Sequence, residues 1–231
     1  MNDSTANPQT EEEEKGLSHL NPVEARIVGC LIEKQATTPD VYPLTVNAIT
    51  LACNQKTNRE PLMELELGEV GHSMRQLENK GLVRVVDSSR TLRYEHCVEK
   101  IYYVTPPQRA LLAVMLLRGP QTLSELFTRT ERMEKFSTMG DMQYVLERML
   151  ERSPALVARL PRSGGQREDR YMHLLSGSLS IEQTAALMST SPSVSSRADL
   201  EERIFRLETI VTELKNQLSE LQEQLGITKN P

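Results

Sequence analysis

Six cationic side chains carry the chemistry this sequence most readily supports. Lys56 and Arg59 sit in the polar run Asn54-Gln55-Lys56-Thr57-Asn58-Arg59-Glu60-Pro61. Arg75 and Lys80 fall along a helical stretch, and Arg162 and Arg167 flank Gly164-Gly165. Lysine and arginine neutralise phosphates, and a double glycine lets a turn approach a backbone closely. A nucleic-acid contact surface is one expectation from these six. Acidic residues oppose it: Glu66, Glu69 and Asp141 stand near the starts of the helices that would face a groove. There they favour the helix dipole but repel phosphate.

Other chemistries find less support. Cys30, Cys53 and Cys97 are odd in number and widely spaced, without a CxxC pattern. They read as reduced, largely buried thiols. A zinc site built on His96 and Cys97 would need two further ligands that no spacing supplies. His19, His72, His96 and His173 lie far apart, with no companion nucleophile motif. There is no P-loop, GxGxxG, HExxH or GxSxG sequence. The expectation is a non-enzymatic protein with no catalytic residue, no metal and no cofactor.

The elements that position the cations follow from apolar periodicity. A first helix starts at Asn21 with Pro22 in its first turn, and Val23, Ile27, Cys30 and Leu31 form one buried stripe. Thr37-Thr38-Pro39 ends it. A second helix covers Thr45 to Asn54, with Val46, Ile49 and Cys53 inward. A third covers Gly68 to Lys80, with Val70, Met74 and Leu77 inward and Gly81 as its stop. The period then changes to that of strands, Leu82 to Val86 and Leu92 to Val98, around the turn Asp87-Ser88-Ser89-Arg90. Three helices and a hairpin in that order are the winged-helix arrangement.

The order recurs. Helices are expected over Gln108–Arg118, Thr122–Arg132 and Thr138–Arg152, followed by strands Val157–Leu160 and Arg170–Leu174. The two copies share order rather than close sequence identity. Ala110 to Leu117 is apolar on every face, as in a helix between two packed layers. It is read as the core of the second domain and its contact with the first. Beyond it, residues 176–198 hold eight serines and read as a linker. Leu200, Ile204, Leu207, Val211, Leu214, Leu218, Leu221 and Leu225 then alternate by four and three, an unbroken heptad. β-Branched residues at a with leucine at d favour a parallel dimer; folding back on the same chain is the competing arrangement.

The fold class expected is therefore mainly α with small β-hairpins (α+β): two tandem winged-helix domains followed by a C-terminal coiled-coil helix. The expected boundaries are an acidic disordered leader at 1–17, domains at 18–104 and 105–176, a linker at 177–198 and the coil at 199–226.

Net charge is −5, but residues 105–178 carry eleven basic against eight acidic side chains. The middle of the chain alone has the sign that phosphate binding needs. The longest apolar run, Ala110 to Leu117, is far short of a membrane span. The leader has no apolar segment of the signal-peptide type. A cytoplasmic protein without a membrane partner is expected.

Several phrases resemble the YceH-like family of bacterial proteins. They are Glu24-Ala25-Arg26, Glu33-Lys34-Gln35, Thr37-Thr38-Pro39, Tyr42-Pro43-Leu44, Ala52 to Pro61, and Arg170-Tyr171-Met172-His173-Leu174. The resemblance covers about residues 18–176. It implies a tandem winged-helix fold in a bacterium and no particular activity. Two functions remain open. One is a dimeric DNA-binding, regulator-like module using the six cations. The other is a protein-interaction scaffold, which the acidic balance and the coil also suit. The Asn54–Pro61 loop likewise has two readings: donors for phosphate, or caps and turns with Arg59 paired to an acid.

Overall fold

The computed structural model describes residues 19–86, 91–162 and 168–177. Among them are seven α-helices and two small antiparallel sheets, a mixed α/β architecture. The expected leader, the heptad segment 199–226, Arg167 and, apart from Gly177, the expected linker lie outside the described residues.

The first half begins with helix α1 (Pro22–Thr37). Asn21 caps it: its side chain accepts from the Glu24 amide at 2.9 Å, while its own amide donates to Glu24 Oε2 at 2.8 Å. A short 3-10 turn, Pro39–Val41, leads to α2 (Val46–Cys53), capped by Thr45. The Asn54–Pro61 loop then precedes α3 (Leu67–Asn79). Strands β1 (Val83–Val86) and β2 (Arg93–His96) pair with Val83 opposite His96. Leu44, between α1 and α2, bridges Tyr94 on β2.

Helix α4 (Val98–Tyr102) had no counterpart in the periodicity reading. The return strand stops at His96, and α4 follows, because Val98 and Tyr102 are buried at i and i+4.

The second half repeats the plan. Helix α5 (Pro106–Arg118) ends at Gly119, whose φ is +70°. Strand β3 (Gln121–Thr122) leads into α6 (Leu123–Thr130), then α7 (Met139–Leu150), β4 (Val157–Leu160) and β5 (Arg170–His173). Threonine caps α6 and α7: Thr122 with Glu125, Thr138 with Asp141. The sheet order is β3-β5-β4. Thus a residue or short strand between the first two helices of each half pairs with the second hairpin strand.

The parallel reaches single residues. Strand β2 reads Arg-Tyr-Glu-His and β5 reads Arg-Tyr-Met-His. Arg93 donates to the Pro43 carbonyl at 2.8 Å, and Arg170 donates to the Pro120 carbonyl at 3.0 Å. Both histidines are buried. Helix α3 opens Leu-Gly-Glu and α7 opens Met-Gly-Asp. The halves therefore share sequence as well as order, at positions that close each hairpin onto its helices.

One hydrophobic cluster runs through both halves. As the apolar run implied, α5 is buried along all of Ala110–Leu117. Its most extensive packing partner is α1. Helix α1 departs from the single stripe: Glu24 to Ile32 are all buried, because α2 and α3 cover one side and α5 the other. Gly29 permits this approach. A Cβ there would lie 2.9 Å from Leu117 Cγ and 3.1 Å from Leu116 Cβ. The polar members of that run find their partners inside the fold, except for Arg26 Nε, which is buried with no hydrogen-bond partner among the described residues. Glu24 accepts from Lys80 Nζ at 2.6 Å, and buried Arg26 donates to the carbonyls of Cys53 (3.2 Å) and Pro61 (2.6 Å).

Candidate nucleic-acid interface

The six cations fall into three groups. Arg59, in the interior, and Lys80, half-buried, belong to the hydrogen-bonded framework of the fold. The Arg59 side chain is 0% exposed. Its Nε donates to the Ala52 carbonyl at 3.0 Å. One terminal nitrogen reaches Glu33 Oε1 (3.3 Å) and the Asn58 carbonyl (2.8 Å); the other reaches Glu33 Oε2 (2.6 Å) and Gln55 Oε1 (2.9 Å). A guanidinium has five N–H donors, so none is left for a phosphate. Burial is the largest influence and lowers its pKa, but the Glu33 hydrogen bond and the nearby Cys30, Glu33 and Cys53 charges together hold it above the usual value. Lys80 is similarly occupied, donating to the His19 carbonyl at 2.8 Å and to both oxygens of Glu24.

These two residues are therefore corrected from phosphate contacts to structural ties. The same holds for the loop that carries Arg59. Asn54 clamps the Leu65 backbone, donating to its carbonyl at 2.9 Å and accepting from its amide at 2.8 Å. The Glu60 amide donates to the Leu117 carbonyl at 2.8 Å. Asn58 adopts φ +62° and accepts from Arg118. Of the two readings of this loop, the capping and turn roles describe Asn54, Asn58 and Arg59. Lys56 alone of its cations points to solvent.

Lys56, Arg75 and Arg162 form the second group, all exposed. Arg75 shares the outer face of α3 with His72, Gln76 and Asn79. On the same helix, a Cβ at Gly68 or Gly71 would meet nothing within 4 Å. Glycine in a helix interior costs about 1 kcal/mol relative to alanine, and no internal packing requires it at Gly71. On α7 the corresponding outer face carries Gln143, Tyr144 and Arg148. Arg167, the third group, lies outside the described residues.

Between α7 and its hairpin runs a groove of about 550 Å³, lined by Leu123, Ser124, Met139, Arg159, Arg162, Glu168, Asp169 and Tyr171. Asp169 organises its rim. It accepts from the Arg162 amide at 3.0 Å and from Arg159 Nε at 2.7 Å. These two contacts hold its carboxyl below the usual carboxylate range. Arg159 is thereby paired, and Arg170 is engaged by Glu125 at 3.2 Å. Arg162 keeps a guanidinium with no ion pair among the described residues.

His96 Nε2 lies 2.8 Å from Gln35 Oε1. Burial, helped by Arg109, pushes the His96 pKa down to about 4; burial alone does the same at His173. The Cys53 thiol is pushed up by its hydrogen bond with Cys30 and by burial. Cys97 is half-buried. Among the described residues no group of three or more His, Cys, Asp or Glu side chains could hold a metal ion, and no helix is long and apolar enough to cross a membrane.

The family model for a protein of unknown function, DUF480, matches residues 20–166. The chain belongs to this family. A UPF0502 protein of Xanthomonas campestris pv. campestris (strain 8004) is 52% identical over 210 residues, covering 89% of this chain and 94% of the relative. A UPF0502 protein of Stenotrophomonas maltophilia (strain R551-3) is 49% identical over 223 residues, covering 96% and 99%. The resemblance read from the Ala52–Pro61 motif is borne out at the level of an uncharacterised bacterial family. The buried hydrogen bonds of Arg59 give that motif a physical role in the fold.

Proposed function

We propose that this DUF480 member is a non-enzymatic tandem winged-helix protein that binds DNA through the α7–hairpin edge of its second half, as a dimer held by residues 199–226. The observation that carries this reading is the repeated three-helix-and-hairpin plan. In each copy a bridge or strand between the first two helices joins the second hairpin strand. Winged helices use the third helix and the hairpin to contact duplex DNA, and this step rests on fold-level analogy. The Arg162 guanidinium, without an ion pair among the described residues, and Arg148, Gln143 and Tyr144 on α7 supply side-chain types that reach phosphates and base edges.

Fluorescence anisotropy of the full-length protein on host genomic fragments, from about 20 to 200 mM salt, tests the reading. The expected result is affinity that falls linearly with the logarithm of salt concentration. Arg162→Glu with Arg167→Glu should weaken binding and flatten that slope by about two phosphate contacts. In sedimentation, Leu214→Asp with Leu221→Asp in the full chain should convert a dimer to a monomer. No salt-dependent binding at low ionic strength would refute the DNA reading.

A second reading, a protein-interaction scaffold, has its own support in the first half. Leu51, Leu62 and Leu67 are 74%, 62% and 51% exposed around the α2–α3 connection. Exposed Glu60, Glu64, Glu66 and Glu69 lie in the same segment. Apolar side chains among carboxylates suit a protein partner better than a phosphate backbone.

A further inference from the structure

A second cavity, of about 180 Å³, opens where the C-terminal ends of α1, α5 and α6 meet the Asn58 loop. It shares no lining residue with the hairpin groove. Arg118, Arg129 and Arg132 lie in its wall, with the Asn58 amide beside them and Leu117 in its lining. The one carboxylate of that lining, Glu33, has both oxygens held by Arg59, at 3.3 and 2.6 Å.

The three guanidiniums differ in how well they are compensated. Arg129 is held in place by Gln121 and by Glu125 at 3.4 Å. Arg118 donates to the neutral Asn58 side chain. Arg132 is exposed and makes no ion pair among the described residues. Burial, then the neighbouring Arg129 charge, holds the Arg118 guanidinium below its usual value, while Glu60 and Glu33 offset part of this. The wall is thus rich in donors and short of acceptors. A group that brings several acceptor oxygens and negative charge would complete it.

We propose that this cavity binds a phosphate group, gripped by Arg118, Arg129 and Arg132 with the Asn58 amide. Guanidinium forks match the oxygens of a tetrahedral oxyanion and form charge-assisted hydrogen bonds with them. At ~30 Å³ per water, the space equals about six waters, enough for a phosphate bearing a small substituent. Because α1 and Asn58 come from the first half and α5 and α6 from the second, the bound group would bridge the halves. This site stands independently of the DNA reading.

The test is calorimetric titration of the full-length protein with inorganic phosphate, with chloride balancing ionic strength. One saturable site per chain is expected. Arg118→Gln with Arg132→Gln should lower its affinity at least tenfold. Arg132→Gln alone, at an exposed position without a described partner, should lower it severalfold and keeps the test decisive if the double variant unfolds. Lys100→Gln, exposed on α4, should leave it unchanged. A titration repeated with saturating duplex DNA separates the sources. Displacement of phosphate would assign the group to a nucleic-acid backbone, and simultaneous binding would assign it to a small molecule. No saturable binding by the parent, or equal binding by parent and Arg132→Gln, overturns the proposal.

Discussion

Arg59→Ala should unfold the protein more readily without removing a contact to DNA. The side chain is fully enclosed, and its five donors serve Glu33, Gln55 and the carbonyls of Ala52 and Asn58. Breaking a buried ion pair from one side costs roughly 3–5 kcal/mol, because the remaining charge stays in a poorly solvated place. The Glu33 side chain retains 14% exposure, and Lys34 Nζ remains 3.7 Å away. Both soften the loss, which puts the expectation at the lower end, about 3 kcal/mol. Typical domain stability is ~5–15 kcal/mol, so a large share of the total is at stake.

Urea unfolding reads this directly. The midpoint should fall with little change in slope. Arg59→Lys should recover part of the loss, since an ammonium keeps the charge but has three donors where the site has five acceptor contacts. Lys56→Ala, three residues away and exposed, should change stability by about 0.5 kcal/mol or less. An Arg59→Ala protein within about 0.5 kcal/mol of the parent would refute the argument. The practical consequence concerns function: lost DNA binding in an Arg59 variant would report a damaged scaffold rather than a missing phosphate contact.

Two further expectations concern the repeated framework. His96 and His173 have folded-state pKa values near 4 against 6.5 when unfolded, so the unfolded chain binds more protons between those values. Their contribution to stability is complete above pH 6.5 and declines as pH falls toward 4. Linkage puts the decline between pH 7.5 and 5.5 at about 1.4 kcal/mol per histidine. Urea midpoints of parent and a His96→Gln, His173→Gln protein across that range should differ in slope, and parallel slopes would reject the assignment. Gly29→Ala should destabilise by about 1–3 kcal/mol through overpacking against Leu116 and Leu117, less the ~1 kcal/mol gained in helix propensity. Thermal melting that shows a net gain in stability would contradict the α1–α5 contact.

The helices were legible because their ends are spelled out. Asn21 with Glu24, Thr122 with Glu125 and Thr138 with Asp141 are capping pairs three residues apart. The apolar run of α5 likewise announced a helix enclosed on all sides. Enclosure of α1 was hidden, since Glu24 and Arg26 look like surface residues until Lys80 and the carbonyls of Cys53 and Pro61 are brought to them. Arg59 kept two readings, a phosphate contact or an ion pair, for the same reason. Its acid partner is 26 residues away, and a guanidinium has one spelling whether it faces a carboxylate or a phosphate. The Arg-Tyr-x-His repeat was present in the sequence, but its spacing becomes meaningful only when both histidines are seen opposite Val83 and Val157.

That repeat also bears on how the halves divide their work. The matching residues are those that close each unit: an arginine on a proline carbonyl, a buried histidine, a glycine and an acid in the first turn of the third helix. The outer faces of those helices do not match. Helix α3 presents Gly71, His72, Arg75 and Gln76 where α7 presents Gln143, Tyr144, Glu147 and Arg148. Arg75 thus occupies the register of Glu147, and the basic residue of α7 stands one place further on, above Gln76. Rotating one residue along a helix turns a side chain by about 100°, so the two cations cannot address equivalent points on a repeating ligand. A partner that contacts both outer faces would therefore meet different side chains on each, and if a duplex is bound as proposed, the two helices would not contact it in the same way.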